Sequence, residues 1–304
     1  MKLFLKNILI LFIIILVLDP AFLFLLKYQE NHLYDTRLQK AMDGKISTDI
    51  LILGSSRGAR NIIAAQIQDS LHESCYNLSY PGSNLDFHQF ILQTFLKKNK
   101  KPKTILLTID DSMALKDNAS LNFRSDVLYP LAQHKYFNDI LIQNNENPFI
   151  SKYLYTFRIE KSMFKKANET IGATDTLWSC GSMPIVFTKP NYTFQYNEHD
   201  TLYSKVEENP KRVENLKQIQ SICKQNNIQL ILVFPPNYKV YNSAFEARIK
   251  SITGDRISYF VYNPSELRYT DSTYYYDMGH LKLNGARIFT NELIDYLRLS
   301  ASKK

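Results

Sequence analysis

A chain of 304 residues with 45% hydrophobic content has room for one large α/β domain with an insertion, or for two modest ones, each with a full core. The formal charge of +8 is spread along the chain apart from a cluster at Lys97, Lys98, Lys100, Lys101 and Lys103, and no nucleic-acid-binding module accompanies it, so nucleic acid is not an expected partner. Cys75, Cys180 and Cys223 are odd in number and lack ligand-like spacing, which argues against a metal centre.

Taken in chain order, the first element is apolar. Ile8 to Leu26 is broken only by Asp19-Pro20, close to the roughly 20 residues that a bilayer-spanning helix requires. Residues 1–27 therefore read as a membrane anchor. The competing reading, a cleaved secretory signal, calls for a shorter apolar region and a small-residue cleavage site, which the sequence lacks. Aspartate is costly in lipid, so Asp19 is expected near an interface or against a partner helix. Lys2 and Lys6 precede the run, whereas Lys27 is followed by Glu30 and Asp35. The positive-inside tendency then places the N-terminus in the cytoplasm and the main domain outside, in a periplasm or at the cell surface, as a single-pass membrane protein. Residues 28–47 read as a polar, partly helical stalk.

Five short apolar runs follow, with the length and β-branched content of strands buried on both faces: Asp49 to Leu53, Cys75 to Tyr80, Thr104 to Ile109, Ile228 to Phe234 and Ile257 to Tyr262. Helical patterns at Ile62 to Leu71, Asp86 to Lys98, Val206 to Asn226 and Ser243 to Ile252 alternate with them. Such alternation predicts an α/β domain over 48–111 and 206–304, with a parallel sheet covered by helices on both faces. Chemistry in such sheets collects beyond the C-terminal strand ends. Gly54-Ser55-Ser56, Pro81-Gly82-Ser83, Asp110-Asp111 and Pro235-Pro236 all lie at such ends. The stretch 112–205 breaks the rhythm. Its aromatics (Tyr129, Tyr136, Tyr153, Tyr155, Phe157, Trp178, Tyr192, Phe194 and Tyr196) argue against disorder, and it reads as an inserted cap. Stacking on sugars and packing within the insertion's own core are both open for those rings.

Two short motifs carry the chemistry. Ser56 follows a buried strand, and Asp277 and His280 stand three residues apart on one loop before the final helix. A histidine can take a serine proton, and a carboxylate can orient the imidazole and stabilise its charged form. Each residue also has a plainer reading. Ser56 is a candidate cap for a helix starting near Arg60, Asp277 a candidate cap for the final helix, and His280 a packing residue. Arg57 suits a carboxylate or phosphate near the serine, or simply a surface position at a helix start. Tyr276, in Tyr274-Tyr275-Tyr276, suits either a sugar site or ordinary packing.

The Gly54-Ser55-Ser56 turn and the segment Asp277-x-x-His280-Leu281-x-x-Asn284-Gly285 resemble the first and last blocks of the SGNH (GDSL-like) hydrolase superfamily. The likeness is greatest to its membrane-anchored members that work beside cell-surface O-acylation systems, and it covers roughly residues 48–110 and 225–297. The resemblance implies a flavodoxin-like three-layer parallel sheet. It also implies a catalytic triad of Ser56, His280 and Asp277, and an oxyanion hole from the backbone N–H groups of Ser56 and Gly82. No metal or cofactor is implied. The activity implied is that of a serine esterase or O-acyltransferase on acyl groups, acetyl foremost, of an envelope polysaccharide or glycolipid. One departure is that the third block, where the family places an asparagine donor, here reads Thr108-Ile109-Asp110-Asp111. An ionised carboxylate cannot donate, so either Asn84 substitutes, or Asp110 is protonated or turned away, or turnover is inefficient. The alternative function is a non-catalytic, membrane-tethered accessory that binds polysaccharide or a multispanning membrane acyltransferase.

Overall fold

The five apolar runs become β1 (Ile50–Leu53), β2 (Cys75–Asn77), β3 (Thr104–Thr108), β4 (Gln229–Phe234) and β5 (Ser258–Val261). They pair in parallel in the order β2-β1-β3-β4-β5. The structure, a computed structural model, describes residues 1–164, 176–186, 194–198, 203–254 and 257–302. Its helices are α1 (Lys2–Asn31) and α2 (Arg37–Met42), then α3 (Ser56–Asn61) and α4 (Ala64–Leu71) after β1, and α5 (Leu85–Lys98) after β2. Beyond β3 come α6 (Ser125–Leu128), α7 (Lys135–Gln143) and α8 (Pro210–Gln225); α9 (Ser243–Thr253) joins β4 to β5, and α10 (Leu283–Ala301) ends the chain.

The chain divides into two units, Met1–Gln39 with Arg124–Ala173, and Lys40–Phe123 with Thr174–Lys304. The long connection is therefore shared between them and is not a single module. The second unit carries the sheet. Strand side chains alternate between faces, and Ile50, Ile52, Leu106, Ile231, Val233 and Phe260 all enter one core with Ile67 of α4 and Phe289 and Leu293 of α10. The intervening Leu51, Leu53, Ile105, Leu107 and Leu232 are also buried, which leaves the opposite face to α5 and α8, helices that pack on one another. With both faces covered, strands can be apolar throughout, as the sequence reading expected. The predicted ends shrink by one to three residues, most at β2, where Leu78 to Tyr80 leave the ladder.

Trp178, Phe194 and Tyr196 pack against this core. The rings of Phe194 and Tyr196 meet Tyr238 edge-on at centroid distances of 5.1 and 5.3 Å. For these three, packing is the observed role; Tyr192 lies outside the described residues.

In the first unit α1 is a 30-residue helix whose most apolar window has a mean hydropathy of 3.0, long and apolar enough to cross a membrane. The partner expected for Asp19 is this chain itself. Its Oδ2 and Oδ1 accept the backbone N–H groups of Tyr155 and Thr156 at 2.7 and 2.8 Å, at the start of a 3₁₀ turn over Tyr155–Arg158. The helix runs on unbroken to Asn31, so the first residues of the expected stalk are helical.

Candidate active site

The serine turn is shaped by close approach. Gly54 follows β1 with φ of +155°, and a Cβ built there would meet Thr108 Oγ1 of the neighbouring strand β3 at 1.8 Å. Glycine is thus required where β1 leaves the sheet. Ser55 caps α3, its Oγ accepting from the Arg57 N–H at 3.3 Å, and Ser56 is the first helical residue. The capping role therefore belongs to Ser55, and Ser56 is left partly exposed among buried neighbours. The Ser56 N–H, at the first helical position, has no intrahelical acceptor and meets no other acceptor among the described residues.

The histidine loop is a closed turn. Tyr276 N–H donates to His280 O at 2.8 Å and Lys282 N–H to Tyr274 O at 2.9 Å. Asp277 Oδ1 accepts the N–H groups of Gly279 and His280, both at 2.9 Å, so the carboxylate organises its own loop. Its oxygens also lie 2.8 and 2.9 Å from His280 Nδ1, and His280 Nε2 lies 2.7 Å from Ser56 Oγ. Asp277 does not cap the final helix, whose cap position is Lys282. Burial pushes the Asp277 carboxyl up, but its hydrogen bond to His280, the charge of His280 and the two backbone N–H groups outweigh this and hold it below the ordinary carboxylate range. A carboxylate at Nδ1 fixes the proton there and leaves Nε2 to accept from the serine hydroxyl.

Two chain segments more than two hundred positions apart are held in register by Asn61 of α3, a fully buried residue. Its Oδ1 accepts Leu281 N–H at 3.0 Å and its Nδ2 donates to Gly279 O at 3.4 Å, one residue on each side of His280. The sequence reading missed Asn61. The available signal was a polar side chain five positions past the serine, directly before the apolar Ile62-Ile63 that lead into α4.

Asp110 is 8% exposed at the end of β3, with Ser55 hydrogen-bonded to its carboxylate; Oδ1 has no partner among the described residues. Burial pushes its carboxyl up, against the opposing pull of Arg57 and of the Ser55 hydrogen bond. Its neighbour Asp111 accepts from Met113 N–H and Lys239 Nζ, both at 2.9 Å. Burial pushes Asp111 up as well, but there the Arg57 and Lys239 charges and these bonds win, and its carboxyl lies below the ordinary range. Arg57 is not the surface arginine that a helix start suggests. It is 5% exposed, and its Nη2 donates to the carbonyls of Pro235 and Pro236 at 2.7 and 3.3 Å, so it clamps the loop after β4 and supplies the counter-charge to two aspartates.

Gly82 has φ of +72°, and its N–H meets no acceptor among the described residues. Asn84 caps α5, Oδ1 accepting Phe87 N–H at 3.1 Å, and its Nδ2 donates one N–H to Leu121 O at 3.4 Å, which leaves the amide's second N–H without a protein acceptor among the described residues. Tyr276 is partly buried and closes the histidine turn through its backbone, while its neighbour Tyr275 is fully buried. Among the described residues no cluster of three or more His, Cys, Asp or Glu side chains is arranged to hold a metal ion. No protein-family model matches the chain, and no curated protein matches it by sequence.

Proposed function

We propose that the chain is a serine-dependent esterase or O-acyltransferase of the SGNH type. Its substrates would be acyl groups, acetyl foremost, of a cell-envelope polysaccharide or glycolipid. One observation carries the reading: His280 Nε2 lies 2.7 Å from Ser56 Oγ while Asp277 holds Nδ1. A packing histidine needs neither contact, and a nucleophile–base–orienter series needs both. The strand order β2-β1-β3-β4-β5 supports the flavodoxin-like form of the fold, in which sites gather where the β1 and β3 exits diverge.

In the mechanism, Ser56 Oγ attacks the acyl carbonyl carbon as its proton passes to His280 Nε2. The imidazolium so formed is stabilised by Asp277, and the carbonyl oxygen, now an oxyanion, takes hydrogen bonds from the Ser56 and Gly82 N–H groups. Collapse expels the alcohol, which recovers the proton from His280, and leaves Ser56 acylated. Water or a sugar hydroxyl, deprotonated by His280, then attacks the acyl-serine and restores the free hydroxyl. Transfer and hydrolysis differ only in that second nucleophile. The anchor would present this site outside the cytoplasm, with the N-terminus inside, where envelope glycans and a multispanning acyl donor protein are accessible.

A second reading, a non-catalytic tethered accessory, is favoured by one feature, the buried carboxylate of Asp110 where a donor is expected. The test uses the full chain in detergent. A fluorophosphonate probe labels the protein and a chromogenic acetyl ester is hydrolysed, both lost in Ser56→Ala. A folded wild-type protein that does neither refutes the enzymatic reading and leaves the accessory one.

A further inference from the structure

The free part of α1 is too short for a bilayer. From Leu3 to Leu18 every side chain is exposed, but at Asp19 the helix is gripped by Tyr155 and Thr156. Beyond it, Phe22, Leu23, Leu26 and Glu30 continue one buried or half-buried stripe, and Glu30 accepts from Gln39 at 2.8 Å and lies 2.9 Å from His134 Nε2. At 1.5 Å per residue, Leu3 to Leu18 covers about 24 Å, and the uninterrupted apolar part after Lys6 and Asn7, Ile8 to Leu18, only about 17 Å. The hydrocarbon core is about 30 Å thick and asks for about 20 residues. A bilayer that accommodates α1 therefore reaches the depth of the Asp19 bonds and the segment that makes them.

That segment is apolar on its outer side. Two consecutive 3₁₀ turns, Phe149–Lys152 and Tyr155–Arg158, leave Phe149 61%, Ile150 42%, Tyr153 69% and Phe157 43% exposed, and Phe24 of α1 is 72% exposed. Large apolar side chains concentrated this way mark a surface that meets something other than water. Lys152 places its Nζ 4.6 Å from the centre of the Phe149 ring, the disposition of a lysine that runs its stem along apolar surface and keeps its charge at the headgroups. Asp19 itself tolerates this depth because each of its oxygens accepts a backbone N–H.

We infer that residues 149–157 form a clasp that dips into the bilayer beside α1, with Phe149, Ile150, Tyr153 and Phe157 in the acyl–headgroup boundary and Lys152 at the lipid phosphates. The inference rests on α1 spanning the membrane and is independent of the serine chemistry.

The full chain, reconstituted in phosphatidylcholine–phosphatidylglycerol vesicles, provides the test. Tyr153→Trp and Phe157→Trp introduce an indole into the clasp and Leu11→Trp introduces one into the free helix; the signal of the single native tryptophan, Trp178, is subtracted. Lipids brominated near the headgroup or near the chain end report depth. The expected result is blue-shifted emission from both clasp positions, quenched at least twofold more by shallow than by deep bromines, with the order reversed at position 11. Two results overturn the inference. One is water-exposed, unquenched emission from the clasp while position 11 is quenched. The other is no quenching at position 11, which shows that α1 does not span the bilayer.

Discussion

Gly54→Ala tests the geometry that delivers the serine, because it imposes two penalties that can be separated. The new methyl would sit 1.8 Å from Thr108 Oγ1 and 3.0 Å from Thr108 Cβ, and the backbone would keep a φ of +155°. Overpacking in a tight site costs about 1–3 kcal/mol, and an unfavourable backbone region costs about 1–3 kcal/mol more. A loss of this size lowers the melting temperature of a protein this large by roughly 5–10 °C. Thr108→Ala removes Oγ1, which has no hydrogen-bond partner among the described residues, so its own cost is that of a buried methyl and a small cavity, about 1 kcal/mol. In the double variant the packing penalty is relieved and the backbone penalty remains. Melting of the four proteins in detergent should therefore show a double variant more stable than Gly54→Ala alone, a coupling of about 1–2 kcal/mol. Strictly additive losses would refute the close approach of β1 and β3 at this point. Fluorophosphonate labelling of the same variants reads whether the displaced turn still presents Ser56.

Asp277→Asn keeps an oxygen for the Gly279 and His280 N–H groups but cannot hold the same imidazole tautomer; ester hydrolysis should fall by about 10⁴ with the melting temperature nearly unchanged. Asp110→Asn should stabilise the protein at neutral pH. Burial raises the folded-state pKa of Asp110 above the unfolded value of 3.8, so its ionisation penalty appears as pH rises through that window. The gain in melting temperature should shrink toward pH 4, and a gain independent of pH would contradict the assignment. His88 is 5% exposed with Nε2 2.9 Å from Ser83 Oγ, and burial, with Arg212 nearby, lowers its pKa from 6.5 to about 3. Below pH 6.5 the unfolded chain takes up a proton that the folded one refuses, so stability is lost as pH falls toward 3. By pH 4.5 the loss is about 3 kcal/mol, and His88→Leu should abolish that part of the acid limb in a pH series of thermal melts.

The strands were legible because a parallel sheet with both faces covered writes itself as short, uninterrupted apolar runs, and the four intervening helices because their apolar faces recur with a 3.6-residue period. Ser56, Asp277 and His280 were legible because strand-end serines and closely spaced acid–base pairs are local patterns. What stayed hidden depends on contacts between distant segments. Arg57 looks like a surface residue at a helix start until the carbonyls of Pro235 and Pro236 reach it across 178 positions. Asn84 suits an oxyanion donor by proximity to Gly82, but an asparagine before Leu85 and Phe87 is also a helix cap, and the cap through its Oδ1 was not anticipated. Asn61 had no signal beyond polarity. The connection 112–205 misled for a different reason: part of it is assigned to a unit with α1, a pairing that no periodicity within the insertion encodes.

Asp110 acts on both halves of the charge separation in the proposed reaction. When Ser56 attacks, a positive charge appears on His280 and a negative charge on the carbonyl oxygen. An ionised Asp110 opposes the oxyanion, and it also attracts the imidazolium once proton transfer has formed it, since His280 is close enough to act on the Asp110 carboxyl. The cost at one end is partly offset at the other. The penalty is therefore smaller than the 10²–10³ in rate that follows loss of a donor outright. The positive charge of Arg57 reduces it further by offsetting part of the carboxylate charge, while Lys239 pairs with Asp111. The rate gain from Asp110→Asn is then the difference between a gained donor and a lost partner for the imidazolium. It should be well below the thousandfold expected of a donor restored in isolation.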